Sequence, residues 1–106
     1  MYKPLPKSLT IKESGINGLG LFAKEGIAQG ANLGMSHVLI GSGIIRTPMG
    51  GFINHSDDAN IVKVELRIDE KDDPLLKVAT KKWNLVALRD IKEGEELTVK
   101  YTFYDI

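Results

Sequence analysis

Apolar and polar residues alternate with a period of two along much of this chain. From Ile61 to Ile68 (Ile-Val-Lys-Val-Glu-Leu-Arg-Ile) the alternation is clean, and this is the strongest strand signal in the sequence. Ser8 to Glu13 repeats it more briefly, with Leu9 and Ile11 on one face and Thr10 and Lys12 on the other. The glycine-rich loop Ser14 to Gly20 follows, and Leu21-Phe22-Ala23 resumes as a strand. Lys24 to Gly30 reads as a turn, Ala31 to Ile40 has strand-like content, and Gly41-Ser42-Gly43 breaks it. Ile44 to Pro48 reads as extended, because the residue before a proline avoids helix. Asp69 to Pro74 reads as a charged hairpin turn and Leu75 to Thr80 as the returning strand. Lys81-Lys82 reads as a short turn, Trp83 to Arg89 as a third strand, and Ile91 to Glu96 as a further turn. Leu97 to Tyr101 is the final strand. No long stretch carries a helical apolar period, so the expected class is all-β.

Composition narrows what such a domain can do. The 106 residues suit one compact domain with a small core. Fourteen basic and fourteen acidic residues cancel, which removes the broad positive field that non-specific nucleic-acid binding uses. The chain has no cysteine, so disulfides, thiolate-bound zinc and thiol nucleophiles are excluded together. The N-terminal residues lack the apolar segment of a signal peptide, and no apolar run approaches the roughly 20 residues of a membrane span. The expectation is a soluble, intracellular single domain.

Three stretches carry candidate chemistry. Gly18-Leu19-Gly20 can bring backbone close to a ligand, but it lacks the third glycine and following helix of a dinucleotide cradle, so a tight β-turn is the better reading of this stretch by itself. The central stretch, Gly50 to Asn60, joins two glycines, Phe52 and Ile53, and the polar run Asn54-His55-Ser56-Asp57-Asp58. Phe52 and Ile53 call for a core. Ser56 lacks the context of a nucleophile elbow, and His37 and His55 lack the spacing of a metal pair. A buried, hydrogen-bonded His55 and a polar turn are the plain reading. Tyr101-Thr102-Phe103-Tyr104 is the third stretch. Phe103 reads as core, whereas Tyr101 reads equally as core or as a catalytic hydroxyl.

Taken in order, these stretches resemble the SET domain of protein lysine methyltransferases. The resemblance rests on Gly18-Leu19-Gly20-Leu21-Phe22-Ala23, on Phe52-Ile53-Asn54-His55-Ser56 with Asn60 beyond, and on Ile91 to Tyr101 with its Glu95-Glu96-Leu97-Thr98. It spans about Thr10 to Tyr104. It implies a single SET domain over 1–106, with a core of about 8–104 and neither pre-SET nor post-SET segments. The implied fold is a β-clip of small sheets in which the central motif and the C-terminal segment form a pseudoknot. The implied cofactor is S-adenosyl-L-methionine, cradled by backbone at Gly18, Leu19, Gly20 and Leu21 and held by Asn54 and His55. Tyr101 is implied as the catalytic hydroxyl, also facing the cofactor. Phe52, Phe103 and Tyr104 are implied to wall a lysine channel.

The implied partner is a protein carrying the target lysine, a histone being one candidate, in cytoplasm or nucleus. Direct nucleic-acid binding and membrane association are not expected, a homodimer is left open, and no metal is called for. The departures from the family pattern are specific. Asp57, Asp58 and Ala59 stand where Cys often follows the serine, Gly51 replaces a frequent arginine, and only Leu39 to Gly50 connects the third strand to the central motif. These departures motivate the alternative of a non-catalytic SET-fold binding or assembly module.

Overall fold

The computed structural model describes residues 5–40, 43–67 and 79–100. The charged turn read at Asp69–Pro74, most of the strand read from Leu75, and Tyr101, Phe103 and Tyr104 lie outside these residues. Eight strands and one short helix are present: β1 (Leu9–Glu13), β2 (Leu19–Ala23), β3 (Asn32–Ile40), β4 (Gly43–Arg46), α1 (Pro48–Phe52), β5 (Asn54–His55), β6 (Ile61–Arg67), β7 (Ala79–Ala87) and β8 (Glu96–Val99). The all-β expectation is met. The small sheets join through β8 into one eight-stranded array, ordered β1-β2-β8-β6-β7-β3-β4, with β5 also paired to β8.

Strand β8 holds the array together. It pairs antiparallel with β2, through Leu21 opposite Leu97. It pairs parallel with β5, through Asn54 opposite Thr98 and His55 opposite Val99, and with β6 through Ile61 opposite Val99. The C-terminal strand is therefore enclosed by one N-terminal and two central strands. Leu21, Leu97, Val99, Ile53, Ile61, Leu85 and Ile91 form the core at this junction, each almost wholly buried. Three strands must converge to bury them, so the junction is also where apolar burial stabilises most.

Two expectations are corrected. Lys81-Lys82 is not a turn, because β7 runs through both. Lys81 lies opposite Arg67 of β6 and Leu39 of β3, and Lys82 opposite Leu66 and Val38. The strand is central, so ladder bonds on both sides outweigh the polarity of two adjacent lysines. Lys81 Nζ approaches Glu65 of the neighbouring β6 at 3.9 Å. The second correction is α1, since Pro48, read as the end of an extended piece, opens a helix. Thr47 is extended (φ −80°, ψ 171°), as a residue before proline prefers, and Pro48 then opens the helix. Thr47 caps it by accepting from the Gly50 N–H.

Candidate functional site

Asn54 is the point at which the glycine loop, the central motif and β8 meet. It leaves α1 through the extended cap residue Ile53 and enters β5, where pairing with β8 fixes its side chain toward the glycine loop. Its amide nitrogen lies 3.1 Å from Ser14 Oγ, 3.2 Å from the carbonyl oxygens of Asn17 and Leu19, and 2.9 Å from Glu96 Oε2. Those acceptors belong to the loop and to β8, so one buried side-chain amide ties loop, central motif and last described strand together. The two N–H bonds of the amide are thereby committed to the protein, and the amide oxygen is what remains for a ligand.

Asn60 makes the second tie. Its amide donates to the Glu96 carbonyl at 3.0 Å and its oxygen accepts from the Thr98 N–H at 2.8 Å. The side chain is buried and imitates a neighbouring strand, satisfying the β8 backbone where no ladder reaches it. Ser56 N–H donates to the Val99 carbonyl at 3.1 Å, which extends the parallel register of β5 past its end.

The other residues singled out in the sequence lie around this junction. Gly18 has a left-handed φ of 48°, with open space where a Cβ would stand. Leu19 opens β2 with its side chain exposed, whereas the Leu21 side chain is fully buried in the core and its backbone is paired between Ile11 of β1 and Leu97 of β8. Gly20 is buried between Glu96 and Ser14. His55 is not the buried residue that its plain reading suggested. Its side chain is 40% exposed, and Nε2 lies 3.2 Å from Asp57 Oδ1. Facing out of a two-residue strand, it follows the alternation that turns Asn54 inward. Phe52 likewise misses the core that receives Ile53, and 36% of it is exposed. Ser56 and Asp58 make the turn expected of them, Ser56 Oγ accepting from the Asp58 N–H at 3.1 Å.

Sequence reasoning passed over Ser14 and did not single out the Glu96 side chain. Ser14 Oγ lies 2.8 Å from both carboxylate oxygens of Glu96. The two residues are 82 positions apart, and nothing in the local pattern of either points to the other.

Comparison with known proteins follows the same lines. The SET domain family model matches residues 35–102. A candidate histone methyltransferase from Plasmodium falciparum superposes with a TM-score of 0.72 at 19% identity, over 93% of this chain and 96% of that one. Polycomb Repressive Complex 2 from Chaetomium thermophilum, in an autoinhibited conformation bound to S-adenosylmethionine, gives 0.68 at 21% identity over 91% of this chain. A humanized mutant of that complex with an inhibitor bound gives 0.69 at 22%. This chain spans 15% of the length of the Chaetomium chains. Comparison with curated proteins gives no match.

Proposed function

Because this chain belongs to the SET-domain family, we propose that it is a protein-lysine methyltransferase that takes its methyl group from S-adenosylmethionine. The observation that carries this reading is the Asn54 clamp, which gathers the glycine loop, the central motif and β8 at one point. The residues present fit the cofactor. The loop backbone at Gly18 is open on its outer side, and the half-exposed His55 adjoins Asn54. Gly18, Leu19 and Gly20 offer backbone to it, Leu21 anchors the loop in the sheet, and Asn54 offers its amide oxygen. When bound, the cofactor supplies a methyl group on a sulfonium.

The chain's own part is to favour the neutral form of an amine and to align it. Tyr101 follows β8 and Lys100 directly in sequence, and its hydroxyl orients the attacking nitrogen. Phe52, Phe103 and Tyr104 wall the channel. A free lysine has a pKa of about 10.4, and an apolar wall disfavours the cation and lowers that value. The substrate is a protein presenting a lysine. Among the described residues no helix is long and apolar enough to cross a membrane.

Calorimetry with S-adenosylmethionine, followed by transfer of labelled methyl to histones and lysate proteins, tests the reading. Cofactor binding and labelled lysine are expected. Failure of both would leave the non-catalytic binding or assembly module in its place. Tyr101→Phe is expected to lower kcat by about 100-fold, the lower range for a positioned proton-transfer group, with the cofactor Kd unchanged. An unaltered kcat would remove Tyr101 from the proposed role.

A further inference from the structure

Ser14 Oγ is used to its full capacity. A hydroxyl donates once and accepts twice. Here it donates to Glu96 and accepts from the Ile16 N–H at 2.9 Å and the Asn54 amide at 3.1 Å. The Asn17 N–H adds a longer approach at 3.4 Å. The loop also closes on itself, the Ser14 N–H donating to the Gly18 carbonyl at 2.7 Å. Glu96 completes the unit with one carboxylate oxygen on Ser14 and the other shared between Ser14 and Asn54. A charged acceptor makes these bonds stronger than neutral ones.

Gly20 lies under this carboxylate. It is not among the glycines with left-handed φ, so its backbone angles do not require glycine. A Cβ built on it would run into Glu96 Oε2 and would stand 3.0 Å from Glu96 Cδ and from Ser14 Cβ. Gly18, by contrast, has a left-handed backbone and nothing within 4 Å. The two glycines of one short motif therefore answer to different constraints.

We propose that Ser14 and Glu96 are positioning residues that fix the shape of the loop, and that Gly20 is glycine to admit the Glu96 carboxylate rather than a ligand. The loop then takes its shape from β8, the strand that leads to Tyr101, so cofactor backbone and catalytic strand are set by one carboxylate. The cofactor part rests on the function proposed above; the loop part does not.

A double-mutant cycle tests this on the full chain. Gly20→Ala is expected to speed hydrogen exchange at the Ile16 and Asn17 amides. It is also expected to weaken S-adenosylmethionine binding about tenfold, the loss of one charge-assisted hydrogen bond. In a Glu96→Ala background the same substitution should add less than about a twofold further change. An equal loss in both backgrounds would show that Gly20 answers to the ligand, and would overturn the proposal. Glu96→Gln keeps the size of the side chain, so Gly20→Ala should weaken binding in that background as it does in the wild type, while the lost charge is tested separately. Glu96→Gln alone should speed the same two amides.

Ser14→Ala should also speed those amides and should raise the cofactor KM while leaving kcat in place. Unchanged exchange, or a fall in kcat at constant KM, would count against a positioning role. If the wild-type chain does not bind S-adenosylmethionine, the proposed function fails, and the exchange measurements alone still decide the loop assignment.

Discussion

Gly50 and Gly51 are adjacent and chemically identical, yet the structure gives them opposite tolerances. A Cβ on Gly50 would strike the Ser36 carbonyl oxygen, 2.9 Å from Ser36 C and 3.0 Å from His37 Cε1. Ser36 lies at a bulge of β3, and its carbonyl is held by the Thr47 N–H at 2.9 Å and the Thr47 hydroxyl at 3.2 Å. A Cβ on Gly51 meets nothing within 4 Å. Gly50→Ala should therefore cost about 2 kcal/mol, as overpacking does. Gly51→Ala should add about 0.5 kcal/mol of stability through reduced backbone freedom. Urea unfolding midpoints measured side by side check the pair, and equal midpoints would contradict the contact argument. In the sequence the two glycines are indistinguishable. Neither has a left-handed φ, and only Gly50 is approached closely.

At the scale of elements, the central motif becomes a series of short pieces, each placed by a different partner. Thr47 anchors α1 to β3, its hydroxyl lying 2.8 Å from the Met35 carbonyl. Ile53 is buried, Asn54 turns toward the loop, His55 faces out, and Asn60 stitches β8. Asn60→Ala would leave the Glu96 carbonyl and the Thr98 N–H without their partner in a buried setting. The expected loss is about 3 kcal/mol from two orphaned backbone groups. Thermal unfolding of the variant measures it, and a shift within error of zero would mean that water satisfies those groups.

The strands themselves were readable where alternation is strong, as at Leu9–Glu13 and Ile61–Arg67. Continuity of β7 through Lys81 and Lys82 was not readable. It depends on β3 and β6 lying on either side, which no local pattern of β7 records.

At the scale of the molecule, the strand order makes the last described strand the middle of the sheet. Strand β8 separates β2 from β6, and its partners come from both earlier parts of the chain. A chain truncated after Glu95 should therefore lose cooperative unfolding altogether rather than fray at one edge. Far-ultraviolet circular dichroism through a thermal ramp checks this, and a retained sharp transition would show that β1–β7 fold without β8. Pairings between distant segments also place refolding on the millisecond-to-second scale of non-local β-topologies.

Sequence alone determined the all-β class, most strand positions and the three stretches whose order resembles the SET domain. These properties are local, because side-chain alternation and turn chemistry are written within a few consecutive residues. Tertiary structure decided which residue does what. It put the Asn54 amide against Ser14, Asn17, Leu19 and Glu96, turned His55 outward, opened α1 at Pro48 and gave Gly20 a carboxylate to admit. The Asn54 and Gly20 outcomes depend on partners many residues away. Hydrogen-bond geometry and steric exclusion act across space, and the intervening sequence carries no trace of them.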